Sequence, residues 1–192
     1  KECGIHVEYI ETDERGVISV ERFKKAMHAG VKVVSIAQMT NVLGSLQPIR
    51  KIAAIAHEAG AYMIVDAAQS VPHMPVDVQA LDVDFLGFSA HKMCGPGGVG
   101  ILYGKYALLE RMEPLMEGGD MNARFMKNGA VLYKDPPVRF EAGTPNIEGI
   151  IGAGKAAEYL MAIGMDEIHA YEKKLRAYFV QALKALDHVV LY

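Results

Sequence analysis

The chain has 192 residues, 51% of them hydrophobic and 22% charged, with a formal net charge of -3. That length suits one domain or a little more, with bulk enough for a sizeable core, and the charge balance leaves no polybasic face for nucleic acid or an anionic membrane. No apolar run approaches the roughly 18 to 20 residues of a membrane span, no secretory leader opens the chain, and Cys3 and Cys94, the only cysteines, imply no disulfide framework and a reducing cytoplasm.

The first element, Ile5 to Ile10, reads as a strand from the middle of an α/β domain, and the last, within DHVVLY from Asp187, as a strand with nothing after it to pair. Both ends look cut, so a fragment of a longer protein is expected. Ser19 is a good N-cap for a short helix over Val20 to His28, with Glu21 in its first turn and Gly30 beyond it. Val31 to Ala37 is rich in β-branched residues, as suits a sheet covered by helices on both faces. Pro48 and Gly60 then frame a helix whose Ile49, Ile52, Ala53, Ala56 and Ala59 keep helical spacing. Tyr62 to Val65 reads as a fully buried strand, completing a right-handed βαβ unit.

From Ser70 to Asp84 the prolines at 72 and 75 predict a loop, with a single helical turn over Val78 to Leu81 and His73 engaged in loop packing. Phe85 to Phe88 is a buried strand ending at Ser89. The reversal through Gly95 to Gly100 into Val99 to Tyr103 is too short for a parallel crossover, which needs about a dozen residues, so that strand is expected antiparallel. Leu108 to Met112 predicts a helical turn and Met116 to Tyr133 a loop. Arg139 and Glu141 are candidates to pair with each other, and Gly143-Thr144-Pro145 predicts a tight turn. Ile150 to Ile163 and a long helix capped by Asp166 close the chain. The stripe Ile168, Tyr171, Leu175, Tyr178, Ala182 and Leu186 on the long helix is expected to be core, with Lys173, Lys174 and Arg176 on its solvated side.

Two residues carry chemistry. Asp66 follows one buried strand and Lys92 the next, and in an open parallel sheet ligands collect outside the carboxyl ends of the strands. Alone, Asp66 reads equally as a turn cap and Lys92 as a solvated lysine. Together they suggest more. An amine on a rigid turn, with its pKa brought below about 10.4 by burial or a cationic neighbour, can attack a carbonyl carbon, and a buried carboxylate seeks a cation such as a protonated pyridine nitrogen. The pair favours a pyridoxal phosphate site. Asn41 ends the preceding strand in the same crevice; alone it reads as a turn residue before Gly44.

These residues lie in TNVLG (Thr40 to Gly44), VDAAQS (Val65 to Ser70) and FSAHKMCGPGGVG (Phe88 to Gly100), with RFEAGTPN (Arg139 to Asn146) downstream. In order and spacing they resemble the cysteine desulfurase and selenocysteine lyase branch of the class V aminotransferases. The resemblance implies part of the large domain of a fold type I pyridoxal-phosphate-dependent transferase, α/β, with a mostly parallel sheet carrying one antiparallel strand. Residues 1–146 would belong to the large domain, and 147–192 to a helical connection and the start of a small carboxyl-terminal domain.

By the same resemblance Lys92 holds the cofactor and acts as general base, Asp66 keeps the ring nitrogen protonated, and Gln69 bonds the ring's phenolic oxygen. Ser89 and His91 hold the phosphate, Asn41 lies at cofactor and substrate carboxylate, and Thr144 reaches the phosphate of the other subunit in a homodimer. The implied reaction takes L-cysteine to L-alanine and passes sulfur to a cysteine outside this chain and then to an acceptor protein, as in iron-sulfur cluster assembly. Cys94 is expected to be inert, no metal site is expected, and the fragment alone is expected to be inactive. Selenocysteine lyase, another class V aminotransferase activity, or a catalytically silent module of the same fold are the alternatives.

Overall fold

In the computed structural model, which describes residues 4–191, four strands form one sheet in the order β1-β2-β3-β4. β1 (Val33–Ala37), β2 (Tyr62–Asp66) and β3 (Phe85–Ser89) run parallel, and β4 (Gly100–Gly104) pairs antiparallel with β3, as the short Gly-rich connection requires. Helix α1 (Val20–Ala26) starts where the Ser19 side chain accepts the Arg22 N–H, and α2 (Ile49–Glu58) follows Pro48. α3 (Val78–Leu81) is the expected single turn, capped by Asp77.

The core lies between these helices and one face of the sheet. Ile52, Ala53 and Ala56 of α2 are fully buried against Met63 and Val65 of β2, with Phe23 and Val34 closing the same cluster. Burying one such large side chain contributes about 1.5–3 kcal/mol. The opposite face remains open: Val33, Tyr62 and Leu102 are 51%, 43% and 63% exposed. Helices therefore lie around the sheet, but the expected cover on both faces is met fully on only one. Tyr62 to Val65 is accordingly not a fully buried strand, because only its alternate residues turn toward α2.

A closed ionic network sits at the amino end of the sheet. The Asp84 carboxylate, 7% exposed, accepts the Met63 N–H at 2.7 Å and lies 2.8 Å from His57 Nε2 and 3.0 Å from Lys105 Nζ. Lys105 also reaches Asp82 at 2.7 Å. Burial raises the Asp84 pKa, but the hydrogen bonds from Met63, His57 and Lys105 outweigh it and hold the carboxyl below its usual value.

Several sequence expectations change. Ile5 to Ile10 forms no strand: Val7 and Tyr9 are 61% and 90% exposed, and no strand among the described residues lies against the outer edge of β1. Asp187 to Leu191 likewise pairs with no strand among the described residues, and Tyr192 falls outside them. The stretch Met116 to Tyr133 contains a hairpin, β5 (Asn122–Phe125) with β6 (Val131–Tyr133), closed by an Asn128-Gly129 turn in which Gly129 has φ +84°. Between β4 and β5, α4 covers Tyr106–Leu109.

Arg139 does not pair with Glu141; its guanidinium donates to the backbone carbonyls of Lys134 at 3.0 Å and Glu110 at 2.9 Å. Helix α5 (Ile147–Ile163) begins at the Asn146 cap, three residues before the expected start. α6 (Met165–Leu183) starts at Gly164, with Asp166 in its first turn instead of at the cap. The α6 stripe is not core: α6 packs against α5, and Tyr171, Leu175 and Tyr178 remain 65%, 53% and 75% exposed. His73 instead ties α6 to the body, its Nδ1 2.8 Å from Glu172 Oε1.

Candidate active site

Strand alternation sets the floor of the site. Met63 and Val65 enter the core, so Ile64 and Asp66 face the open side. The register aligns Ala37, Asp66, Gly87 and Leu102 in one row across the sheet. Two residues beyond Gly87, Ser89 falls on the face that carries Asp66.

The backbone around Asp66 is held on three sides. Its carbonyl accepts the Gln38 N–H at 2.8 Å, the following Ala67 N–H donates to Gly87 O at 2.8 Å, and Asp66 Oδ1 accepts the Ala68 N–H at 2.9 Å. The carboxylate forms no salt bridge among the described residues, and its side of the strand is exposed.

Lys92 is positioned by the turn that leaves β3. Ala90 to Lys92 form one 3-10 turn anchored by the buried Ala90, whose carbonyl accepts the Met93 and Gly95 N–H groups at 2.9 Å. Gly95 is required there: a Cβ at that position would stand 2.8 Å from Ala90 O. Behind the Gly-rich turn α5 approaches closely, since a Cβ on Gly149 would meet Val99 Cγ2 at 2.7 Å. A lysine is thus mounted on a braced turn.

Asp66, Ser89 and Lys92 line one open depression on the uncovered face of the sheet. His91 occupies the same turn as Lys92 and is exposed. Asn41 and Gln69 meet at the ends of β1 and β2, where the Gln69 amide donates to Asn41 Oδ1. Thr144 lies apart on an exposed bend after Gly143, two residues before the α5 cap. Cys94 is exposed with φ +63°. Among the described residues no cluster of His, Cys, Asp and Glu could hold a metal ion, and no helix is long and apolar enough to cross a membrane.

The depression fits a flat, anionic, pyridine-based aldehyde. A Cβ on Gly87, beside Asp66, would meet only Ile101 O at 3.9 Å, so the floor accepts a planar ring. A carboxylate for a ring N–H, an amine for a carbonyl carbon and a hydroxyl for an anion surround that floor. Sequence reasoning missed two residues beneath the site, Gln38 and Ser70, 5% and 0% exposed. The only signal was a polar residue directly after β1 and another in the turn four residues beyond β2.

An α/β sheet with a lysine and an aspartate at adjacent strand ends defines the class, and the sequence agrees: the chain belongs to the aminotransferase class-V family, whose profile it matches over residues 1–192. Its fold is part of fold type I of the pyridoxal-phosphate-dependent transferases. It is 44% identical to a probable cysteine desulfurase of Halalkalibacterium halodurans over 100% of this chain and 47% of that protein, and 42% identical to a cysteine desulfurase of Haloferax volcanii over 100% of this chain and 45% of that protein. The apo cysteine desulfurase structure from Thermococcus onnurineus superposes with a TM-score of 0.88 at 37% identity, covering 94% of this chain and 45% of that one. The chain spans about half the length of the curated relatives it matches.

Proposed function

We propose that the protein carrying this chain is a pyridoxal-phosphate-dependent cysteine desulfurase that converts L-cysteine to L-alanine and hands the sulfur to a cysteine outside these residues. One observation carries the reading: Asp66 and Lys92, at the ends of adjacent parallel strands, line the same depression. The names of the similar proteins support the substrate.

When bound, the cofactor supplies an electron sink for charge developing at the substrate α-carbon. The chain's residues do the rest. Lys92 would hold the cofactor through its amine and, when that amine is free, take the substrate α-proton as general base. Asp66 would hold the proton of the ring nitrogen in place. Gln69 would present its amide to the phenolic oxygen and Asn41 its amide to the cofactor and the substrate carboxylate, while Ser89 and His91 would bind phosphate oxygens. The acceptor thiolate attacks the substrate sulfur, the Cβ–S bond breaks with its electron pair left on carbon, and one proton delivered to Cβ and one returned to Cα complete alanine.

Thr144 contributes to the partner's phosphate site in a homodimer, the division between large and small domains falls at residues 146 and 147, and the protein serves iron-sulfur assembly in the cytoplasm. This chain by itself is inactive.

The test uses the full-length protein with L-cysteine and a thiol reductant. Equal release of alanine and sulfide is expected, with borohydride fixing the cofactor to Lys92. Borohydride labelling with keto-acid formation and no sulfide assigns another class V activity. The absence of any label on Lys92 identifies a silent module and overturns the proposal.

A further inference from the structure

Beneath the open depression lies a buried hydrogen bond that the chemistry above does not use. Ser70 is fully buried and its hydroxyl donates to Gln38 Oε1 at 2.7 Å; Gln38 itself is 5% exposed. Gln38 stands where three site-bearing segments meet. Its N–H donates to Asp66 O at 2.8 Å, and its carbonyl accepts the Gln47 N–H at 2.9 Å at the base of the loop carrying Asn41. Its side chain holds Ser70, the residue after Gln69.

We propose that the Gln38–Ser70 hydrogen bond is a positioning latch that fixes the loop carrying Asn41 against the turn carrying Gln69, so that the Gln69 amide, held by Asn41, faces the cofactor's phenolic oxygen. The inference rests on the functional reading above and assigns Gln38 and Ser70 a role within it. The physical ground is burial. A hydroxyl and an amide oxygen sealed from solvent have no water to replace a lost partner, so their bond resists exchange. Above the latch, Gln69 and Asn41 are more exposed and joined by one hydrogen bond, which solvent competes for. A donor pair at the surface is only as well placed as the backbone beneath it, and that backbone is tied across β1 and β2 by this bond.

The two sides of the bond differ in a useful way. Removing the Ser70 hydroxyl leaves Gln38 Oε1 without its donor. Removing the Gln38 amide leaves the Ser70 hydroxyl a second acceptor, Ala67 O at 3.3 Å. Ser70→Ala is therefore expected to be the more severe change and Gln38→Met, close in size, the milder one.

The test loads full-length protein with pyridoxal phosphate and follows the visible band of the bound cofactor against pH, together with cofactor release by dilution. Loss of one aligned hydrogen bond is expected to weaken retention about fivefold in Ser70→Ala, less in Gln38→Met, with the titration midpoint moving in the same direction in both. Ser70→Thr, which keeps the hydroxyl, restores the wild-type titration. Gln69→Ala added to Ser70→Ala changes the midpoint less than it does alone, because the latch acts through that amide.

A merely structural serine would lower the melting temperature and leave the midpoint in place. That result, or full additivity of the two substitutions, overturns the latch. If Ser70→Ala does not fold, Gln38→Met decides, since an unshifted midpoint there also overturns it. A wild-type protein that shows no band fixed by borohydride on Lys92 refutes the functional reading instead, so the two failures are distinguishable.

Discussion

The two ends of the sheet handle charge in opposite ways. At the amino end, Asp84 is buried and ringed by Met63, His57 and Lys105, and its pKa lies below the usual carboxylate range. At the carboxyl end, Asp66 and Lys92 line an open depression and form no salt bridge with each other or with any described residue. A carboxylate whose acceptor sites are filled by its own chain holds strand starts together and has little left for a ligand. Charged groups kept apart on a braced floor keep their capacity for a ligand, and the fold places them where an open parallel sheet collects one.

Substitutions sharpen that contrast. The largest effect is expected from Lys92→Ala in the full-length enzyme: turnover falls by about a thousandfold or more, while the melting temperature stays within a degree or two of wild type. Unfolding of Lys92→Ala would break the comparison by making the open end structural. Asp66→Asn is expected to lower kcat by about a hundredfold, the scale of losing one preorganised charge at a reacting group, again with the fold intact.

At the closed end the pattern inverts. Asp84→Asn should cost about 2 kcal/mol of stability by leaving His57 and Lys105 short of an acceptor, read by urea denaturation, with kcat scarcely changed. Because the folded-state pKa of Asp84 is depressed, its contribution is present above the unfolded value of about 3.9 and is lost as pH falls through the lower folded value. Acid melting of the wild type should steepen there, and Asp84→Asn should flatten that limb. Burial alone would lower the Lys105 pKa, but Asp82 and Asp84 raise it. Its contribution is therefore present below about 10.4 and is lost as pH rises through the higher folded value.

Smaller effects complete the series. Thr144→Ala should weaken cofactor retention several-fold, on the scale of one hydrogen bond to a charged group; unaltered retention by equilibrium dialysis would overturn the proposal that Thr144 serves a site shared between two subunits. Cys94→Ser should leave turnover within about twofold, since Cys94 is not among the residues that line the depression with Asp66, Ser89 and Lys92.

Much of this arrangement is written in local sequence. Ser19, Pro48 and Gly60 mark helix ends because capping and φ preferences act over three or four residues. The ten residues between Ser89 and Gly100 force an antiparallel strand because a parallel crossover needs about a dozen or more. The spacing of Asp66 and Lys92 likewise follows from one strand-to-strand passage.

Other features depended on what each segment meets in space. The α6 stripe has helical periodicity, yet periodicity says which face is apolar and not whether anything covers it. Ile5 to Ile10 has strand composition, yet a strand exists only with a partner to complete its ladder. Arg139 finds three backbone carbonyls in place of Glu141 because the chain folds those carbonyls around it. The Asp84 network and the Gln38–Ser70 bond join residues 21 to 32 positions apart. Capping, turn length and strand alternation are short-range and survive in the sequence alone. Which buried polar groups satisfy one another is a long-range question, and only the folded chain answers it.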